Sequence, residues 1–280
     1  MSPPGRPRGE YRSAKHEGNP TSTAGPRPDA TAATPGDNAA VKRGDPPITM
    51  LSLESIETYY GETQVLFGVT LEVRAGEVVA LLGQNGAGKT TTLRSILGLT
   101  RARRGSIRFD GTDITRAPTH EIARRGLSWV PDDRRIFPTL TVARNLSIAR
   151  KRTRFRAWTE RDCFTVFSAL EYLMHRECEN LSGGEMQMVA ISRALVGGPG
   201  LVLFDEPSQG LAPKIVQDVM ATIRRLRTEG VASLIVEQNV TTALAVADRV
   251  YVMRNGAIVH TGPAAALRDD PALRTALMGA

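Results

Sequence analysis

The stretch that most limits how this chain can fold is EVVALLG at 77–83, continued by QNGAGKTT. A short continuous aliphatic run predicts a strand covered on both faces. After the loop, Leu93, Ile96 and Leu97 fall at helical spacing within KTTTLRSILGL. Strand, glycine-rich loop and helix in that order fit G-x-x-x-x-G-K-[ST]. The candidate phosphate-binding residues are Gly83, Gln84, Asn85, Gly86, Ala87, Gly88, Lys89, Thr90 and Thr91. Glycines let backbone N–H groups converge on phosphate oxygens without Cβ obstruction. The helix that follows adds partial positive charge at its start. In such a loop the Lys89 ammonium reaches the β- and γ-phosphates, and Thr90 ligates Mg²⁺. Upstream, Tyr60 stands where a ring can stack on a purine, or serve as an ordinary strand aromatic.

Strands and helices alternate beyond the loop. LVLFDE at 201–206 and VASLIVE at 231–237 predict two more buried strands. Between them PKIVQDVMATIRRLRTEG reads as a helix opened by Pro213 and closed by Gly230. This pattern predicts an α/β fold with a parallel sheet. Residues 141–178 lack a strand pattern and read as two helices around the basic run ARKRTRFRAW. They are expected to form a helical insertion in the α/β core. The basic run is read as a solvated helix face, with contact to an anionic lipid surface as the lesser alternative.

Two further strand ends carry polar groups. Asp205 and Glu206 close one strand, and adjacent strand residues face opposite ways, so their roles can differ. Asp205 suits holding Mg²⁺ together with Thr90; Glu206 suits polarising an attacking water. The second strand ends in SLIVEQNV, at Glu237, Gln238 and Asn239. A third motif, LSGGE at 181–185, places Gly183 and Gly184 before a helix and Ser182 at a second helix start. One phosphate chain cannot occupy two distant helix ends of one subunit, but two subunits set head to tail can close each other's sites.

The order GQNGAGKT, LSGGE, LVLFDEPSQGLAP resembles the ATP-binding subunits of ABC transporters. The resemblance covers roughly 49–280. It implies a P-loop NTPase (RecA-like) core with an N-terminal antiparallel β-subdomain and an inserted helical subdomain, at about 138–182. It implies ATP and Mg²⁺ as ligands, and ATP hydrolysis coupled to transport. By this likeness Tyr60 stacks on adenine, and Leu181, Ser182, Gly183, Gly184 and Glu185 act in trans on the partner's nucleotide. Residues 208–212 form a dimer-contacting loop. Lys89, Glu206 and Gln238 are the catalytic set, Gln238 standing where relatives often hold a γ-phosphate-sensing His. Asp132, in PDDRRIFP, stands where relatives usually hold a Gln near Mg²⁺. These two positions, with TTTLRSILGL and DRRIFPTLTV, are similar to the LivF-type subunits of branched-chain amino acid importers. Urea importers are the nearby alternative, and a soluble ABC ATPase outside transport is a remote one. The expected partners are a second ABC ATPase subunit, identical or homologous, transmembrane permease subunits and, indirectly, a periplasmic binding protein. The expected location is the cytoplasmic face of the inner membrane.

Composition agrees with these expectations and trims the alternatives. The net charge of +7 raises the prior for anionic partners. One cassette without long coiled coils argues against a nucleic-acid role. Cys163 and Cys178 form no CxxC or Cys/His cluster, so neither a zinc site nor a disulfide framework is expected. Residues 1–47, rich in Pro and Gly and poor in bulky aliphatics, are expected to form a disordered tail. The first residues lack the apolar segment of a secretory signal.

Overall fold

A computed structural model describes residues 48–278; the tail expected at 1–47 lies outside them. Among the described residues, ten strands form two sheets. An antiparallel sheet, order β2-β1-β4-β5, is built from β1 (Thr49–Tyr60), β2 (Thr63–Arg74), β4 (Ala102–Phe109) and β5 (Thr112–Asp113). The other, order β10-β9-β3-β8-β7-β6, contains β3 (Val78–Leu82), β6 (Leu127–Val130), β7 (Leu201–Asp205), β8 (Ala232–Glu237), β9 (Arg249–Arg254) and β10 (Ala257–Pro263). It is parallel from β9 through β6, with β10 antiparallel at one edge.

Every residue of β3, β7 and β8 is buried, which explains their unbroken aliphatic runs. Alternate side chains feed different cores. Val79 and Leu81 point toward the antiparallel sheet, with Leu93 and Ile96 of α1 (Lys89–Ile96) and Ile122 of α2 (Thr119–Arg124). On the other face, Val202, Phe204 and Ile235 pack on α3 (Val142–Ala149), α4 (Glu160–Val166), α5 (Ala169–Leu173), α6 (Gly183–Leu195) and α7 (Pro213–Thr228). Ala80 and Leu82 meet α8 (Val240–Leu244) and α9 (Ala264–Asp269); α10 (Pro271–Met278) follows.

In the expected helical insertion the structure differs from the two-helix reading. Three short helices, α3 to α5, occupy it, followed by a 3-10 turn at Cys178–Asn180. The basic run is not a helix face, because α3 ends at Ala149. Residues 150–159 cross the surface as a strap. Arg150 pairs with Glu160 at 2.6 Å, Arg154 with Asp110, and Arg156 with Asp162 at 2.9 Å and Glu229 at 2.6 Å. Phe155 anchors the strap between Gly126 and Gly200, where an added Cβ would lie only 2.5 and 2.4 Å from the ring. Arg150, Arg154 and Arg156 are thus paired with acids of the same chain, while Arg152 stays exposed.

The strand order explains where the motifs meet. β8 lies between β3 and β7, with Leu82 opposite Glu237 and Asp205 opposite Val236. The glycine-rich loop, the Asp-Glu pair and the Glu-Gln-Asn end therefore emerge side by side at the carboxyl edge. That edge is where parallel α/β sheets place their ligands.

Candidate active site

The loop at 83–91 has the backbone that its glycines require. Gly88 lies at φ 108°, and a Cβ there would sit 2.9 Å from Leu66. At Gly83 a Cβ would come within 2.5 Å of the Met253 carbonyl oxygen. Asn85, Gly86, Lys89, Thr90, Thr91 and Glu206 line one cleft. Lys89 is buried, and its Nζ donates to the carbonyls of Gly83 at 2.8 Å and Gln84 at 3.0 Å. Glu206 stands 3.9 Å from the same ammonium. Burial lowers the Lys89 pKa, and the charges of Glu206, Asp205 and Glu237 oppose that shift.

Thr90 Oγ1 donates to Asp205 Oδ1 at 3.1 Å. The other oxygen, Oδ2, is buried without a hydrogen-bond partner. Burial pushes the Asp205 carboxyl up to about 6, with Asp132 and Glu206 adding to the rise and Thr90 opposing it. An orphaned carboxylate oxygen beside a hydroxyl suits a hard divalent cation. Asp132 is therefore close enough for its charge to act on Asp205, although its own Oδ1 accepts the Asp133 amide at 2.9 Å.

Glu206 adopts φ 47°, a left-handed conformation unusual for a residue with a side chain. The end of β8 holds it there. Its amide donates to the Val236 carbonyl at 2.9 Å. Gln238 Nε2 donates to both Glu206 carboxylate oxygens, at 2.7 Å each. Gln238 thus meets the carboxylate directly, an arrangement that the sequence did not disclose. Asn239 takes no part in this; its side chain caps α8 by accepting from the Thr242 amide at 3.0 Å.

The sequence reading names Glu237 at the strand end and gives it no role. In the structure it is almost wholly buried, and Oε1 accepts the Ser208 amide at 3.0 Å. Burial raises its pKa. The signal was present, since an acid inside an otherwise apolar, two-face-buried strand needs a partner. Arg134 was also missed. Its Nε donates to Gln187 of α6 at 3.2 Å, and its carbonyl accepts from Arg193 at 3.2 Å. The loop carrying Asp132 is thereby tied to α6.

At the start of α6, Ser182 and Glu185 form a reciprocal cap. Ser182 Oγ accepts the Glu185 amide at 3.3 Å, and Glu185 Oε2 accepts the Ser182 amide at 2.7 Å. Leu181 is buried and Ser182 exposed. Gly184 packs on Ile215 of α7, which leaves little room for a side chain. Tyr60 ends β1 at a two-residue hairpin, with its ring partly exposed and its hydroxyl 3.5 Å from Thr100 Oγ1.

A phosphate-binding loop, a paired acid strand end and a capped glycine helix start on one α/β scaffold define the class of P-loop nucleotide hydrolases. The comparisons narrow the class. The family model described as ABC transporter matches residues 66–209. The chain belongs to that family and is an ATPase of it. BraG, a high-affinity branched-chain amino acid transport ATP-binding protein from Pseudomonas aeruginosa, is 42% identical over 238 residues, 82% of this chain and 100% of BraG. The lipopolysaccharide export system ATP-binding protein LptB of Escherichia coli is 36% identical, covering 81% of this chain and 96% of LptB. Among solved structures, the ADP conformation of MJ1267, an ATP-binding cassette of an ABC transporter, matches with a TM-score of 0.68 at 30% identity, over 80% of this chain and 96% of that one. No helix among the described residues is long and apolar enough to cross a membrane.

Proposed function

We propose that this chain is the ATP-hydrolysing subunit of an importer for branched-chain amino acids, energising uptake by dimerising on ATP. The observation that carries the reading is the identity to BraG along that protein's whole length. Binding of ATP falls to the cleft at 85–91, with the Lys89 ammonium, held by the Gly83 and Gln84 carbonyls, inside the loop that would take the phosphates, and with Tyr60 beside the base. Thr90 and Asp205, with its unpartnered Oδ2, suit Mg²⁺, and Asp132 supplies further negative charge near them. Bound there, the ion would neutralise charge on the phosphates. Glu206 orients the attacking water and takes up its proton, while Gln238 holds the Glu206 carboxylate in place. Ser182, Gly183 and Gly184 complete the site of a second ABC ATPase subunit. Permease subunits would carry the substrate across the membrane, a binding protein would deliver it, and this chain would sit peripherally on the cytoplasmic face.

Two measurements test the reading. Lys89→Ala and Glu206→Gln are each expected to remove steady-state ATP hydrolysis; wild-type turnover in both would overturn the site assignment. Uptake of labelled leucine is expected to fall in a strain lacking the chain and to return with wild type but not with Glu206→Gln. Unchanged leucine uptake with reduced urea uptake would move the substrate to short amides. The identity to LptB favours a second reading, lipopolysaccharide export, which predicts an outer-membrane defect in the same strain instead.

A further inference from the structure

Three consecutive residues at the end of β8 grip the turn that follows β7, each by a different group. The Val236 carbonyl takes the Glu206 amide at 2.9 Å. The Gln238 side-chain amide takes the Glu206 carboxylate at 2.7 Å. Between them, the Glu237 carboxylate takes the Ser208 amide at 3.0 Å. The turn needs this restraint. Glu206 sits at φ 47°, and left-handed residues with a side chain persist only where the surroundings over-determine them. A carboxylate buried inside a sheet is costly in itself, so a Leu or Val would serve the core better. Backbone bonds from the Gln209 amide to the Glu206 carbonyl at 3.1 Å and from the Leu211 amide to the Ser208 carbonyl at 3.4 Å close the turn on itself, and the Glu237 side chain ties the Ser208 amide, just beyond Pro207, to the strand.

We propose that Glu237 is a positioning residue for hydrolysis: by holding the Ser208 amide it fixes the turn that presents Glu206. The inference rests on the reading of Glu206 as the water-orienting group. The bond requires an acceptor at the right reach, not a charge. Glu237→Gln keeps both the acceptor and the length, Glu237→Asp falls one methylene short, and Glu237→Ala removes the group.

The experiment is steady-state ATP hydrolysis by the full chain, with kcat and KM separated for the three variants and for Glu206→Gln. Glu237→Ala and Glu237→Asp are expected to lower kcat by roughly ten- to a hundredfold, the range of a lost hydrogen bond to a charged group. KM for ATP should stay within about twofold, because the phosphate loop keeps its own contacts, and Glu237→Gln should recover most of the turnover. Wild-type kcat in the Ala and Asp variants would overturn the proposal. So would equal losses in Gln and Ala, which would assign the effect to charge. Should the Ala variant not fold, the Asp and Gln pair decides: activity in Gln with loss in Asp supports the proposal, and equal activity overturns it. Wild-type turnover in Glu206→Gln would overturn the underlying reading instead, and the proposal with it.

Discussion

At the scale of single residues, Gln238 makes the closest contact to the Glu206 carboxylate. Its amide donates hydrogen bonds and carries no titrating proton near neutral pH. Set on both oxygens of Glu206, it orients the carboxylate without competing for its proton. Gln238→Ala is expected to cost roughly ten- to a hundredfold in kcat, with little change in KM, by steady-state hydrolysis. Gln238→His should keep part of the rate and change the kcat–pH profile near the imidazole range, read as the difference from the parent profile. Asp205 offers a second test. Its folded pKa, about 6, lies above the usual carboxylate value of 3.8. The protonated form is thus favoured in the fold, so its stabilising contribution is complete below the unfolded value and is lost as pH rises through 6. The amount is on the order of 3 kcal/mol. Without nucleotide and with a chelator, calorimetry should show Tm falling between about pH 4 and 6 from this group, and Asp205→Asn should flatten that part of the curve. The loop pattern at 83–91 and the Asp205–Glu206 pair were legible in the sequence, because each is a motif of fixed spacing at a strand end. The partners of Gln238 and Glu237 were not, because they depend on which strand lies beside which.

At the scale of elements, β3, β7 and β8 were readable because burial on both faces leaves unbroken aliphatic runs. Their adjacency was not readable. It rests on the sheet order, which places residues 82, 205 and 237 at one edge although they lie far apart in the chain. The strap at 150–159 misled sequence reasoning for a related reason. A basic run looks the same on a solvated helix as on an extended segment whose acids come from residues 110, 160, 162 and 229. Exposed ion pairs contribute little each, so the anchor must be apolar. Phe155, seated against Gly126 and Gly200 with its ring 6.3 Å from that of Phe109, is one such anchor, and Trp158, buried in the core beside the helical segment, is the other. Phe155→Ala is expected to destabilise the fold by about 3 kcal/mol in denaturant unfolding, whereas Arg150→Ala should change it by less than about 1 kcal/mol.

At the scale of the whole molecule, the chain presents two anion-attracting helix starts, α1 behind the phosphate loop and α6 behind Ser182. On the head-to-tail reading, each nucleotide lies between the loop of one copy and the Ser182–Gly184 end of its partner. That arrangement predicts a specific complementation. Lys89→Ala spoils the loop, and a Gly183→Asp change spoils the other end by adding bulk and negative charge where phosphate would approach. Copies of either variant alone form only spoiled sites. A mixed pair has one site built from two spoiled halves and one built from two intact halves. With random pairing, half the dimers are mixed and each has one good site, so hydrolysis should return to about a quarter of the wild-type rate. Titrating one purified variant into the other at constant total protein should give a rate that peaks near equal amounts. A flat, inactive titration would mean that the two ends do not share a nucleotide between copies of this chain, and it would leave the Ser182 end to a different partner subunit.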